Sequence, residues 1–545
     1  MESEGIEHRF AWRGVHSRLL LGALTLMCLV PFCGKAFHID DTLFLWAAQH
    51  IVRHPLDPYG FSVVWYWEPM PMANVTKNPP AAAYYMAAVG KVAGFSEPVM
   101  HLAFLLPALV VVLGTYRLAR GFTGRPLLAA AATLLAPGFL VSSTDVMCDT
   151  MMLAAWILAV MLWREGLEGR DAGLLALAGV LVAVCAVTKY FGIALIPLLL
   201  IYSFIKTRRL GSWVVFLAIP VLVLAGYQYG SSTLYGRGLF AQAVQYAPGE
   251  TGSAAALAMK TVLGLSFAGG CALPVLTFVP VVWRWRGVLA TAAIAGAVGV
   301  WAGMGPARLT LQLCVFIAGG ISLFALAVSD FRKRRDADSA LLGLWVLGTF
   351  AFAAYVNWTV NARSVLPLIP AAGILLARRV ESMGRMRQRW LVAALAVSGF
   401  VAMWVSWADA RLADSARLAA RMVASRSGAG ADVSFEGHWG FQYYMERLGF
   451  RPVDFASYRV GAGKTIVIPE NNCNLEDIPP EFVESDSGFE LDTNVGVSTM
   501  SDSLGAGFYS DVSGPLPFAF GRVPAERYTV VRLKGQGLLD PEARK

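Results

Sequence analysis

The chain has 545 residues, of which 56% are hydrophobic and only 15% are charged, and its formal net charge is +8. The apolar residues come in blocks of roughly 18–22, the length that a helix needs to cross about 30 Å of hydrocarbon. Such blocks exclude a soluble protein, and lipid offers no partners for the backbone of an open strand, which leaves membrane helices. The basic residues form no stripe interleaved with aromatic residues, so nucleic-acid binding is not indicated.

The N-terminal segment, residues 1–18, is polar, and no small-residue cleavage site follows the next apolar run. We therefore expect a retained membrane helix over 19–36 and not a removed signal peptide. Asp40 and Asp41 come just after it and open a long polar loop, 37–97. One of them is expected to cap the helix that "DTLFLWAAQHIVR" predicts, but acids this close to a bilayer usually face a cavity and act there.

The stretch "NVTKNPPAAAYYMAAVG" in the same loop sets Lys77 and Asn78 directly before two prolines, with Tyr84 and Tyr85 just after them. Proline can begin a helix but cannot continue one, so a helix is expected to begin here. Two interpretations stay open. Lys77 reaches a lipid phosphate from a helix on the membrane surface, or it holds the phosphate of a substrate.

The apolar blocks predict about thirteen spans in total. After the first helix they are expected at about 98–117, 125–142, 146–163, 173–205 (divided at 188–190 into a hairpin), 211–229, 259–283, 288–303, 309–329, 339–356, 364–378 and 390–407.

Four polar residues stand at the ends of these spans. Asp145 and Asp149 are four apart and would share one face of a helix, although an N-cap stabilised by the helix dipole is an alternative for Asp145. Lys189 divides the predicted hairpin. Arg363 precedes a span. It is a candidate for the site, and the alternative is an interfacial arginine whose side chain reaches lipid headgroups.

The loops separate into two sets by charge. One set carries the basic clusters at 117–125, 164–170, 206–209, 284–286, 332–335 and 378–389, whereas the short loops of the other set carry single basic residues. The positive-inside rule places the basic loops and the N-terminus in the cytoplasm of a cell (inner) membrane protein. The loop at 37–97 and the tail at 408–545 are then extracytoplasmic. Runs such as "KTIVIPE" and "RYTVVRLKG" predict strands, so the tail is expected to be a soluble α/β domain.

No metal site is indicated. Six of the seven cysteines lie in or beside apolar spans, and no Cys/His spacing is typical of zinc. His50 and His54 are four apart, but the helix lacks the glutamate of a zinc protease motif. We expect no cofactor, and a divalent metal is not indicated.

Taken in order, these motifs resemble the GT-C superfamily of integral-membrane glycosyltransferases. The similarity is to the branch with protein O-mannosyltransferases and the aminoarabinose transferase of lipid A (families 39 and 83). The features that carry it are the acidic pair after helix 1, a basic residue before Pro-Pro, an acid at 145, a lysine in the next hairpin and "ARSVLPLIPAAGILLARR". Three details depart from the family: Asp-Asp stands for Asp-Glu, Asn78 intervenes before Pro-Pro, and Ser364 follows Arg363 where a Tyr is usual.

The resemblance implies a polytopic α-helical GT-C domain over 19–407 that transfers a sugar from a polyprenyl-phosphate donor to a glycan, lipid or protein acceptor. By analogy, Asp40 would be the general base, with Asp41 and Asp145 as further catalytic acids. The remaining candidates would bind substrate: Lys77, Asn78, Tyr84, Tyr85, Asp149, Lys189 and Arg363. The alternative from another class is a transporter or a flippase of lipid-linked sugars, which would want polar residues in mid-span.

Overall fold

The computed structural model describes residues 2–66, 68–246, 253–303, 305–384, 388–427, 433–454 and 464–534, with side chains from residue 15 onward. Within these ranges, ten helices are long and apolar enough to cross a membrane. They are Val15–Phe32, Glu97–Ala119, Cys148–Gly169, Tyr190–Thr207, Ser212–Tyr235, Ala254–Cys271, Trp285–Ala302, Ala307–Arg334, Ala337–Val356 and Gln388–Ser427. The predicted polytopic helical fold is confirmed.

Ten is three fewer than the thirteen spans expected, because prolines divide two of the predicted helices and a third helix, Ala172–Thr188, is shorter than a span. The predicted span 125–142 is broken into Pro126–Leu134 and Pro137–Ser142. The predicted span 364–378 begins as the short helix Ala362–Val365 and resumes at Leu368–Glu381. In each case a proline ends the helix, because it has no backbone N–H to donate and its ring disfavours helical geometry at the residue before it. The break at 188–190 is as predicted, since Ala172–Thr188 ends just before Lys189 and the next helix begins at Tyr190, although Ala172–Thr188 is short for a span.

Shorter helices fill the loops and the ends of the bundle. They are Asp41–Arg53, Met72–Val75, Ala81–Ala93, Leu239–Tyr246, Leu273–Thr277, Val279–Val282 and Trp439–Arg447. Ala81–Ala93 begins directly after Pro80, as the Pro-Pro pair predicts.

The two predicted sets of loops lie at opposite ends of the bundle. At one end, basic residues from different loops pair with acids: Arg164 with Asp338 at 2.9 Å and Lys206 with Glu168 at 3.0 Å. The other end, which we call the site end, brings together the polar residues that follow helix 1 and precede Cys148–Gly169. There the Nζ atom of Lys35 lies 2.5 Å from Asp145.

The tail contains a five-stranded mixed sheet. In sheet order its strands are Arg451–Pro452, Val433–Phe435, Thr465–Pro469, Glu526–Leu533 and Val483–Leu491. Val433–Phe435 runs parallel to both neighbours, whereas Glu526–Leu533 is antiparallel to both of its own. The two strand runs expected from "KTIVIPE" and "RYTVVRLKG" are therefore adjacent strands.

The tail does not begin where the last apolar block ends. Helix Gln388–Ser427 continues for twenty residues beyond the boundary expected at 407/408, because small and apolar residues such as Ala413, Ala420 and Val423 stay buried along it. A second part of the tail packs into the bundle: Gln312 exchanges hydrogen bonds with the backbone of Phe520. The strand pairs Val497–Ser498 with Ala519–Phe520 and Met500–Ser501 with Ala506–Gly507 belong to this part.

Candidate active site

An accessible ion pair joins the long loop after helix 1 to the short helix Ala362–Val365. Nη1 of Arg363 lies 2.9 Å from Oδ2 of Asp40, and the two side chains are 14% and 25% exposed. Asp40 stands directly before helix Asp41–Arg53. The short helix that carries Arg363 is capped by Asn361, whose side chain accepts the N–H of Ser364. Both charged groups are thus held at element ends and still reach open space.

The charge of Arg363 is maintained by more than one acid. Burial opposes the guanidinium charge, but Asp40 and Asp149 outweigh it and raise the pKa of Arg363 above its usual value. The Nε atom of Arg363 is buried and has no partner among the described residues. The site therefore keeps a permanent cation with unused hydrogen-bonding capacity.

A second ion pair lies beside the first. Lys189 Nζ is 2.5 Å from Oδ1 of Asp149, with the lysine 18% exposed and the acid 1% exposed. Asp149 is in the first turn of helix Cys148–Gly169, and Lys189 lies between helix Ala172–Thr188 and the helical segment that begins at Tyr190. Two predicted residues from separate spans are thereby brought together, within reach of the charge of Arg363.

Asn78 and Lys77 have different surroundings. The side-chain oxygen of Asn78 accepts from Sγ of Cys148 at 3.8 Å, so Asn78 lies against the start of the helix that carries Asp149. Lys77 donates to the carbonyl of Asn74 and lies 5.2 Å from the ring centroid of Tyr246. Burial and the charge of Arg237 lower the pKa of Lys77.

Asp41 does not face the accessible pair, although it is adjacent to Asp40. Its two oxygens accept the backbone N–H groups of His38 and Val146 at 2.8 and 3.0 Å, and the side chain is fully buried. Burial first, and then the charge of Asp145, raise its pKa. The structure therefore gives Asp41 the role of tying the loop after helix 1 to the loop before Cys148.

Asp145 belongs to a buried cluster, which we call the Lys35 cluster: Lys35, Asp145, Asp409 and Tyr509. Lys35 Nζ lies 2.5 Å from Asp145 and 2.6 Å from Asp409, and none of the three side chains is more than 1% exposed. The hydroxyl of Tyr509 lies 3.0 and 2.9 Å from the same two carboxylates. Burial lowers and the two acids more strongly raise the pKa of Lys35. This cluster has no open face for a substrate.

The hydroxyls of the two candidate tyrosines bond to backbone carbonyls of other segments. The hydroxyl of Tyr84 donates to the carbonyl of Pro55, and that of Tyr85 donates to the carbonyl of Ala103. The aromatic residues nearer Asp40 are others: the charge of Asp40 raises the pKa values of Tyr66 and Tyr246, after the larger effect of burial.

Sequence reasoning missed Lys35, Asp409 and Tyr509. A signal existed for Lys35, a charge placed directly after an apolar run, and for Asp409, an acid at the end of one. Tyr509 lies in the tail, where the sequence offers no comparable signal. Within the described ranges, no group of three or more His, Cys, Asp and Glu side chains is arranged to hold a metal ion.

Comparisons with known proteins bear on the fold and the family of the chain. Residues 77–227 match the family described as dolichyl-phosphate-mannose-protein mannosyltransferase. The chain is similar to the Archaeoglobus fulgidus oligosaccharyltransferase in its apo form, with a TM-score of 0.50, 13% identity, and 81% of this chain and 64% of that chain covered. The chain therefore has the GT-C fold.

Two other solved structures are similar at lower TM-scores. ArnT from Cupriavidus metallidurans, bound to undecaprenyl phosphate, has a TM-score of 0.42 and 15% identity over 85% of this chain and 93% of that chain. Arabinosyltransferase EmbB from Mycobacterium smegmatis has a TM-score of 0.35 and 14% identity over 88% and 46%. No curated protein matches this sequence significantly. The family match over residues 77–227 and the fold shared with the oligosaccharyltransferase confirm the resemblance to GT-C enzymes.

Proposed function

We propose that this protein transfers a sugar from a polyprenyl-phosphate donor to a hydroxyl of a glycan, lipid or protein acceptor at the outer face of a cell membrane. The observation that carries the proposal is the accessible pair of Asp40 and Arg363 at 2.9 Å, with the Asp149–Lys189 pair beside it. The two pairs place a carboxylate that can act as a base and two cations that can meet a phosphate at one end of the helix bundle. A donor whose lipid tail stays in the bilayer can reach them there.

Asp40 is the general base. Its carboxylate takes the proton of the acceptor hydroxyl while the acceptor oxygen bonds to the anomeric carbon and the bond from that carbon to the phosphate oxygen breaks. The electron pair of the broken bond leaves with the polyprenyl phosphate. A positioned base of this kind contributes about 10²–10⁴-fold to the rate, and a nearby carboxylate also stabilises the oxocarbenium-like transition state.

Arg363 and Lys189 receive the leaving group. Preorganised cations that face a developing phosphate charge lower the barrier because they need no reorganisation during the reaction. Arg363 can form two parallel hydrogen bonds to a phosphate, which a lysine cannot. In the observed arrangement Arg363 holds Asp40. A donor phosphate would compete for that guanidinium and leave the carboxylate free for the acceptor.

Lys77 supports the same charge from the loop side. It has no carboxylate partner among the described residues, and burial and the charge of Arg237 lower its pKa, so its positive charge is not compensated there. An anion next to it would relieve this.

The location of the charges supports an enzyme over a flippase. The ion pairs of the site involve residues at or just beyond helix ends, whereas a transporter would want them at mid-span. We place the N-terminus in the cytoplasm and the site outside the cell (inner) membrane, as the basic loops predict.

The test uses the purified full chain reconstituted in liposomes. Lipid-linked sugars extracted from a strain that lacks the gene serve as donor, and an envelope fraction of the same strain supplies the acceptor. Mass spectrometry follows the loss of the donor, the appearance of free polyprenyl phosphate and the mass gained by the acceptor. We expect wild type to convert the donor without any ion gradient, and Asp40→Asn to lose this conversion. Glu68→Gln, an exposed acid of the same loop, is the matched control and should behave as wild type. Full conversion by Asp40→Asn would contradict Asp40 as the base.

A further inference from the structure

The tail segment that contains Thr499 and Tyr509 bonds to buried acids beside the candidate active site. Thr499 donates its hydroxyl to Oδ1 of Asp409 at 2.7 Å, and the hydroxyl of Tyr509 lies within 3.0 Å of both Asp145 and Asp409. Tyr509 is only 4% exposed. The far end of its side chain is therefore fixed to the Lys35 cluster, which joins helix Gln388–Ser427 to the loops after helix 1 and before Cys148.

The neighbours of Tyr509 hold the loop that carries Arg363. The carbonyl of Phe508 accepts the N–H of Ala362 at 2.9 Å, and the N–H of Asp511 donates to the carbonyl of Val360 at 2.9 Å. The carboxylate of Asp511 also accepts from the N–H of Val360 and from the hydroxyl of Thr359. Residues on both sides of Tyr509 thus bind the backbone within three residues of Arg363.

The ring of Tyr509 completes this arrangement. The guanidinium carbon of Arg363 lies 5.7 Å from its centroid, and the ring of His38, two residues before Asp40, meets it edge-on at 5.4 Å. A cation over an aromatic face is attracted to it, more strongly where water is excluded. The same side chain therefore contacts the cation of the site and the loop that carries the base.

We propose that Tyr509 is a positioning residue of the active site: its hydroxyl is anchored in the Lys35 cluster and its ring face holds Arg363 opposite Asp40. The tail then takes part in building the site and is more than a separate outer domain. The consequence for sugar transfer rests on the function proposed above, whereas the placement of Arg363 by Tyr509 does not.

The direct test measures how accessible Arg363 becomes when the ring is removed. The full chain is purified in detergent, treated with phenylglyoxal, and the modification rate of each arginine is read by mass spectrometry. Arg379 is the internal reference, because it also lies over an aromatic ring, that of Trp283 at 5.0 Å. We expect Tyr509→Leu to raise the rate at Arg363 by about three- to tenfold and to leave Arg379 unchanged.

The matched control is Tyr528→Leu. Tyr528 is another tail tyrosine, 3% exposed, whose hydroxyl bonds to Ser415 of the same long helix, and it contacts the other part of the tail. An equal rise at Arg363 in this variant, or no rise in Tyr509→Leu, would overturn the proposal. If Tyr509→Leu does not fold, Tyr509→Phe keeps the ring volume and removes the anchor. A rise at Arg363 above that of Tyr528→Phe then supports the proposal, and its absence overturns it.

A second arm uses undecaprenyl phosphate as the probe and measures its affinity in a double-mutant cycle. Tyr509→Leu should weaken binding about three- to tenfold in wild type and cause no further loss in the Arg363→Gln background, because it acts through that guanidinium. Additive losses would contradict positioning. Failure of the wild-type protein to bind the probe would count against the proposed function, and the labelling arm would still decide the role of Tyr509.

Discussion

The carboxylate of Asp145 lies 2.5 Å from the ammonium of Lys35, and neither side chain is more than 1% exposed. Asp409 binds the same ammonium at 2.6 Å, so one buried cation serves two acids. A buried ion pair adds little net stability over apolar residues, but removing one partner leaves a charge without compensation. The cluster is therefore a structural joint between the bundle and the tail.

Replacing the cation should destabilise the protein strongly. We expect Lys35→Met to lower the free energy of unfolding by about 3–5 kcal/mol, because two buried acids lose their counter-charge. Thermal unfolding of the purified protein checks this. Lys206→Met is the control, since its pair with Glu168 is exposed and exposed pairs contribute little. An unchanged melting temperature in Lys35→Met would contradict the structural role of the Lys35 cluster.

The two adjacent acids after helix 1 should respond differently to the same change. Asp40→Asn should reduce turnover by about 10²–10⁴-fold with little change in melting temperature, as expected for a lost base. Asp41→Asn should instead destabilise the fold by about 1–3 kcal/mol. In the wild type both oxygens of Asp41 accept backbone N–H groups, and in the variant the amide NH₂ would replace one of these acceptors. Conversion of the lipid-linked donor and thermal unfolding are measured on both variants. The reverse pattern would assign the base to Asp41.

The sequence predicts the ends of the helices better than the pairs that form there. Asp40 and Arg363 are 323 positions apart, and an alternation of apolar blocks and charged loops predicts only that both lie at one end of the bundle. Pairing depends on how the helices pack, which one sequence does not specify. Pro137 and Pro367 carry a visible signal for a break, but prolines are also tolerated inside membrane helices, as Pro107 is here.

The tail was the least predictable region. The strand runs of the sheet follow from β-branched residues, whereas the segment around Tyr509 has no periodicity and is ordered by contacts with the bundle. The predicted boundary at 407/408 follows the hydropathy of the last block. Helix Gln388–Ser427 continues because it packs on protein beyond that point, with Ala419 and Ala420 fully buried.

Transfer should not depend on an added divalent metal. Arg363 and Lys189 already supply positive charge for a leaving monophosphate, the task that metal ions perform for diphosphates and transferring phosphoryl groups. We expect donor conversion to be unchanged after incubation with EDTA. A loss of conversion that Mg²⁺ or Mn²⁺ restores would show that a metal is required and would contradict this prediction.

The stability of the tail should fall as the pH rises from about 4.5 to about 7. Glu436 is 4% exposed, and burial raises its pKa to about 7. The folded state therefore holds this proton at a pH where the unfolded chain has released it, so Glu436 favours folding below about pH 4.5 and this contribution is lost between there and about pH 7. We expect Glu436→Gln, which stays neutral, to raise the melting temperature at pH 8 relative to wild type and to change it little at pH 5. An equal effect at both pH values would contradict the raised pKa.

The orientation in the membrane can be tested with single cysteines at the two ends of the bundle. Tyr84 is 37% exposed on the loop that carries the proposed site, and Arg209 is exposed at the basic end. The positive-inside rule predicts that Tyr84→Cys reacts with a membrane-impermeant maleimide in intact spheroplasts, whereas Arg209→Cys reacts only after permeabilisation. The wild-type chain corrects for its own cysteines, of which Cys473 is half-buried in the tail. Labelling of Arg209→Cys alone in intact spheroplasts would put the Asp40–Arg363 pair on the cytoplasmic side, where a donor and acceptor outside the cell could not reach it.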